Sequence, residues 1–476
     1  MSADPKALEA AIAITRFGLG ARGSAIADAT PDPRGYLKAQ IRSQGADVFT
    51  SNGETSSQRL VEFRSYRQQV AMAKADGTGK ADAPDPVKQA QAYIRQNTVG
   101  DVQARIQLGI STEAGFRERW ALFWANHFTV SATKAQVAGL VGPFENEAIR
   151  PRVFGRFADL LVAAETHPAM LLYLDQAQSA GPNSQAARFM GRGGRGGGKR
   201  PEGAPPRQLG LNENLAREIL ELHTVGIEGG YSQADVTEFA RALTGLSVAG
   251  PRDGDVAEPV IFRPQTHEPG ERTVMGTRYP AGGKAQAAAI LADLAASPAT
   301  ARHLCTKIAR HFVADDPSPP LVARLARAWT NTRGDLAKVA EALIDAPEAW
   351  APQPTKLKTP YEFVISSYRA TGLAPRGPQV GGVLSGLGQR PFGAPSPKGW
   401  PDEAGPWAAS DALVKRMQFA QGLAAIVGPN VTDPVALAER TLGARLTPTS
   451  ATAIRRAESR TEAVALLLMT PEFQRR

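Results

Sequence analysis

The chain of 476 residues carries one cysteine, Cys305. That excludes an intrachain disulfide framework, a multi-cysteine zinc site and an iron–sulfur cluster. A lone thiol suits the cytosol, and it equally suits a periplasmic protein that does not rely on disulfides. Long apolar runs are missing too. No segment approaches the roughly 18 apolar residues of a membrane span. The first twenty residues hold Asp4 and Glu9, with neither a basic start nor an apolar run of signal-peptide length. No export signal is expected, which leaves the compartment open between the cytoplasm and export in company with a partner.

Familiar chemical signatures are also absent. There is no His-Glu-x-x-His, no histidine pair at i,i+4, no EF-hand loop, no phosphate loop and no Gly-x-Ser-x-Gly elbow. Charge of one sign is scarce outside one tract. The net charge is +9. Between Gln176 and Leu211, Arg188, Arg192, Arg195, Lys199, Arg200 and Arg207 face only Glu202. The rest is close to neutral for its size, so a nucleic-acid binder basic over its whole surface is not supported.

What is present is helix. With 42% hydrophobic residues the chain can bury a substantial core, and apolar residues recur at three- and four-residue spacing. Pro168, Pro298, Pro434 and Pro471 each follow His, Ser, Asp or Thr and read as first helical positions. Ser232 caps a helix running through Val236, Phe239, Ala240 and Leu243. Strand character is confined to 260–262 and 272–279, around a turn at His267-Glu268-Pro269-Gly270. The expected fold is mainly α, a large helical domain with a short β-hairpin and long ordered loops.

Three stretches read as loops: 76–85, 176–210 and 373–407. The second, with its Arg/Gly run at 191–198, reads as a flexible insertion. The third is rich in proline and glycine yet holds Phe392, Trp400 and Trp407, so it is expected to fold onto the body.

On a helix over 116–128, the residues Phe116, Trp120, Phe123, Trp124 and Phe128 form one arc with His127 in its middle. Arg117, Glu118 and Arg119 fall off it. His127 is therefore expected inside, either held by a backbone carbonyl or in a catalytic role. On a helix over 212–226, Asn214, Arg217, Glu218 and Glu221 share a narrow polar stripe, and His223 sits in the opposite apolar arc. The stripe reads as a solvated face with an Arg217–Glu221 pair, or as carboxylates converging on a cleft, fit for acid–base work or a divalent metal. The face His303, Lys307, Arg310, His311 reads as a solvated cationic stripe.

These stretches taken together resemble a bacterial family called domain of unknown function 1800. The likeness is carried in order by Thr15-Arg16-Phe17-Gly18-Leu19-Gly20, by 120–128, by 167–175, by Asn212 to Gly226, by Gly230-Tyr231, by 235–245, by Lys358-Thr359-Pro360, by Pro397-Lys398-Gly399-Trp400 and by 470–476. The resemblance implies one family domain over 1–476 and a mostly helical fold. It implies a complex with an exported partner of alkaline-phosphatase-like fold, periplasmic or secreted, with this chain as accessory protein. It raises the functional reading of Asn214, Arg217, Glu218, Glu221 and His223; the catalytic candidates are Glu218, Glu221, His223 and His127, with Asn214, Arg217, His267 and Trp400 as candidates for orienting a ligand. The alternative reading is a metal- or carboxylate-assisted hydrolase acting on an envelope polymer. RNA binding through the Arg/Gly tract, with Phe189 its only aromatic, is the weakest of the three.

Overall fold

The helix starts are set by side chains that accept from free backbone N–H groups. His167, Ser297, Asp433 and Thr470 each do so ahead of a proline in the first turn. Ser232 and Asp235 exchange side-chain and backbone bonds in a capping box. The computed structural model describes residues 4–75, 86–191, 210–250, 253, 258–375 and 378–476. The expected loop at 76–85 and the glycine run from 192 lie outside these residues.

Helix dominates, so the fold is mainly α. The elements that matter here are α1 (Gly115–His127), α2 (Phe157–Glu165), α3 (Asn214–Glu218), which continues into a π turn (Ile219–His223), α4 (Gln233–Leu243), α5 (Pro298–Phe312), α6 (Pro360–Thr371) and α7 (Ser410–Val427). One large apolar core takes in α1 to α5, and a second gathers Phe363, Leu423, Leu467 and Phe473 around α7. Helix α6 is buried nearly all round: Phe363 belongs to the second core, and Tyr361, Val364 and Ile365 to a third with Leu19 and Ile106.

The strands differ from expectation. There are two antiparallel ladders among the described residues: β1 (Leu246–Val248) with β2 (Val260–Phe262), and β3 (Arg272–Val274) with β4 (Thr277–Tyr279). Residues 260–262 and 272–279 therefore do not pair with each other. Met275 and Gly276 both adopt positive φ and fold the 272–279 run back on itself. Two expected loops also contain helix, at Gln185–Gly191 and Gln379–Gly386. No helix among the described residues is long and apolar enough to cross a membrane.

The arc of α1 is buried as its spacing requires, but Glu118 and Arg119 are buried as well, at 2% and 1% exposure. Ion pairing explains it. Arg150 Nη1 and Nη2 lie 2.8 Å from the two Glu118 oxygens, and Nη2 lies 2.7 Å from Glu145 Oε1. Arg105 reaches Glu145 from the other side at 2.8 Å. Charges enter a core when their partners enter with them. Replacing Arg150 by Met strands Glu118 inside and leaves Glu145 to Arg105 alone. Chemical denaturation should show a loss of about 3–5 kcal/mol, whereas Lys338→Met at an exposed pair should cost under about 1 kcal/mol.

Candidate functional site

Helices α1 and α5 meet through side chains that run in opposite order. Arg119 Nε faces His311 Nε2 at 3.4 Å, and one end further along Lys307 Nζ donates to His127 Nδ1 at 2.9 Å. The Phe123 ring stands between, with centroids 5.3 Å from His311 and 6.3 Å from His127. The face of α5 read as solvated is thus turned inward. His303 donates to Leu222 O at 3.3 Å and Arg310 to Asp315 O at 2.9 Å, while His311 Nδ1 lies 2.6 Å from Asp402 Oδ1.

The other histidines of interest lie beside this contact. His127 Nε2 donates to the His223 carbonyl at 3.2 Å, and the two rings are 5.6 Å apart. The π turn carries one residue more per turn than an α-helix, and it closes with Thr224 Oγ1 donating to Ile219 O at 2.6 Å. Gly226 follows with φ of 82°; a Cβ there would sit 2.6 Å from His303 Nδ1, so the close approach requires glycine. His223 is fully buried, with Nδ1 2.7 Å from Glu165 Oε1. The contact is out of line for a hydrogen bond, and both Glu165 oxygens and both His223 ring nitrogens lack one.

The polar stripe of 214–221 divides. Glu218 is half-buried, and burial followed by the charges of Glu221 and Glu165 raises its carboxyl against the pull of His223. Asn214 is exposed. Arg217 bonds Glu213 at 3.1 Å and Gln233 at 2.8 Å, not Glu221. Glu221 accepts from Tyr231 at 3.3 Å. His127 and His223 are therefore brought together, with Glu218 near enough to feel the charge of His223, whereas Asn214, Arg217 and Glu221 each bond to other neighbours nearer the surface. His267 lies elsewhere, donating from Nδ1 to Thr244 O at 2.8 Å in the segment between the two ladders.

Trp400 lies on the other flank of α1. Asn126 clamps it from both sides: Oδ1 accepts from Trp400 N at 2.8 Å, and Nδ2 donates to Trp400 O at 2.9 Å. Gly399 makes this possible, because a Cβ there would meet Asn126 O at 2.4 Å. The clamp brings Asp402 to His311 beside a partly open cavity of about 110 Å³ lined by Arg119, Asn126, His311, Glu362, Trp400 and Asp402, among others. A larger open groove of about 640 Å³ near Arg22 and Arg440 offers no such pair, since Asp28 bonds Ser24 and Asp433 caps its own helix.

Burial sets the protonation states. It drives His127 well below its ordinary value, with the Lys307 charge adding to it, and brings His303 to about 4. It lowers His311 despite Asp402, and brings Lys307 to about 8. Burial raises Asp402 and Glu362, but the charge of His311 for the first, and of Arg476 and Arg119 for the second, hold both below the usual carboxylate range. With Asp402 ionised, the 2.6 Å contact requires a proton on His311 Nδ1 and leaves Nε2 as the lone-pair nitrogen. Among the described residues no three His, Cys, Asp or Glu side chains converge closely enough to hold a metal ion. Gly18-Leu19-Gly20-Ala21-Arg22-Gly23 has dinucleotide-fingerprint spacing, but a π turn, not a strand, leads into it.

Glu165, Lys307, His311, Glu362 and Asp402 were not among the residues singled out as site candidates. The signal available was the i,i+4 spacing of His303, Lys307 and His311.

Histidines with folded values below 6.5 bind fewer protons folded than unfolded between those values and 6.5. Stability is therefore lost as pH falls through this window. Urea denaturation from pH 6.5 to 4 should show a falling midpoint, and His303→Asn should flatten the slope. An unchanged slope in that variant would contradict the assignment.

No curated protein and no solved structure matches the chain. A family model described as "Protein of unknown function (DUF1800)" matches residues 12–475, nearly the whole length, and the chain belongs to that family.

Proposed function

We propose that the chain is an acid–base hydrolase whose working pair is His311 and Asp402 in the cavity beside Trp400. The observation that carries this reading is the 2.6 Å bond from His311 Nδ1 to an ionised Asp402 at the wall of that cavity. A neutral imidazole so held takes a proton at Nε2 from water or a substrate hydroxyl, and Asp402 steadies the imidazolium that forms. Arg119 Nε touches Nε2 at only 3.4 Å, a contact long enough for a water to displace. Trp400 supplies an apolar wall. A space of about 110 Å³ admits a small group, so an envelope polymer would be cut at an end or branch. His127 and His223 then act behind the wall, keeping Lys307 and the end of α3 in place. Carboxylate-assisted chemistry at Glu218 and Glu221 is less favoured, because Glu221 is engaged with Tyr231 at the surface.

A panel of chromogenic esters and glycosides, together with cell-wall fragments, should reveal turnover by the wild type. His311→Gln and Asp402→Asn should each lower kcat/KM by about a hundredfold or more while the circular dichroism spectrum is kept. Full activity in both variants, or no turnover on any substrate, would remove the reading.

One observation favours the accessory role. Helix α7 exposes Leu413, Val414 and Met417 on one arc, with Ile426 apart from them, and a clustered apolar patch marks an interaction site. The occupant under this reading is the exported alkaline-phosphatase-like protein that the family resemblance implies. Co-expression of the two should give one complex on size exclusion, and Val414→Glu with Met417→Glu should split it. Separate elution of the wild-type proteins would end this reading.

A further inference from the structure

The open groove of about 640 Å³ shares no lining residue with the cavity beside Trp400. It runs between the segment 21–25, the end of α6 and the helix Pro434–Leu442. Its size is that of a small-ligand site. Recessed in its wall is Arg369, only 4% exposed. Arg369 Nε donates to Gly20 O at 2.9 Å, and Nη1 donates to the carbonyls of Gly109, Ile110 and Thr112 at 3.1, 3.1 and 2.7 Å. All of these partners are neutral. Nη2 has no acceptor among the described residues, and it is not sealed from solvent.

Further donors line the same groove. Arg440 is exposed, and its side chain bonds nothing among the described residues. Arg22 stands 3.5 Å from Glu113, a loose and exposed pair. Tyr36 is partly buried; burial and the charges of Asp28 and Glu113 raise its phenol, so the hydroxyl keeps its proton. The carboxylates of the groove, Asp28, Glu113 and Asp433, are all exposed, and the Glu113 side chain is 90% so. Asp28 accepts from Ser24 Oγ at 2.9 Å, and Asp433 from Val435 N and Ala436 N at 2.9 and 3.0 Å. Water and salt screen charges at such a rim far more than a recessed guanidinium. The rim is therefore mixed in charge, and the wall behind it is positive.

A recessed guanidinium without a carboxylate partner favours an anion in the space before it. The shape of that anion follows from the donors. Nε and Nη1 of Arg369 are spent on carbonyls, so this residue does not offer the two-pronged fork that suits a carboxylate. What remains are single donors on separate side chains. A tetrahedral oxyanion accepts from several directions at once. We propose that the groove is a binding site for a small molecule bearing a phosphate group, with the phosphate on Arg369 Nη2 and with Arg22, Tyr36 and Arg440 as its further donors. The groove is several times larger than a phosphate ion, so an organic phosphate is the expected source, its remainder lying against Ala25, Val431 and Leu437. The site stands whether or not His311 and Asp402 are catalytic, because the two spaces are separate.

Thermal unfolding of the full chain tests this, with glucose 6-phosphate, adenosine monophosphate, inorganic phosphate and unphosphorylated glucose compared at equal ionic strength in chloride. A saturable rise in the midpoint is expected with at least one phosphate and none with glucose. A rise with an organic phosphate alone assigns the site to that class, and an equal rise with inorganic phosphate assigns it to the free ion; both keep the phosphate chemistry. Arg440→Met removes a side chain that bonds nothing else, so its fold should be kept, and it should weaken phosphate binding by about tenfold. Tyr36→Phe should weaken it as well, and Arg302→Met, at an exposed arginine outside the groove, should not. No saturable rise with any of the three phosphates, or a rise that Arg440→Met and Tyr36→Phe leave unchanged, would overturn the proposal.

Discussion

The structure depends on the inward turn of the polar face of α5. A helix can bury cations and imidazoles only if the surrounding elements supply acceptors. Here α1 supplies His127, the π turn supplies the Leu222 carbonyl, and the clamped Trp400 loop supplies Asp402. Three distant stretches of chain are thereby committed to one register. The same commitment desolvates the groups, which is why the histidines and Lys307 sit low, while the two carboxylates stay ionised because their cationic neighbours outweigh that burial.

Polar burial recurs through the fold. The Arg150, Glu118 and Glu145 set pins α1 to the segment after it. Arg369 gives its guanidinium to the carbonyls of Gly20, Gly109, Ile110 and Thr112, closing the end of the helix Pro86–Ser111 against α6. Such pairs add little net stability over apolar packing, yet each is costly to break on one side. They specify which helix meets which. Rigidity of this kind suits a site whose groups must keep fixed protonation states.

Much of this could be read in the sequence, because helix starts and amphipathic angles are local. Pro168, Pro298 and Ser232 marked their helices, and the α1 arc put His127 inside. The inward angle of His223 was also legible. Other features are set by distant partners. Nothing near His311 in the chain announces Asp402, 91 residues on, so a cationic helix face looked like a solvated one. Glu118 looked surface-bound until Arg150 was placed against it. Glu165 ends a helix whose other buried residues are Phe157, Leu160, Leu161 and Ala164, and it was invisible as a partner for His223. The strand β1 was missed because three residues directly after a helix carry no alternation to detect.

The family carries no settled activity to lean on, so the account rests on protonation. Nitrogen chemical shifts of 15N-labelled histidine, followed from pH 8 to 4, test it most directly across the six imidazoles of the chain. Neutral rings for His127 and His303 at pH 5.5, with His311 titrating below 6.5 and carrying its proton at Nδ1, are the expected result. Ordinary titration of these three near 6.5 would mean that the α5 face is open to water, and the account would be wrong.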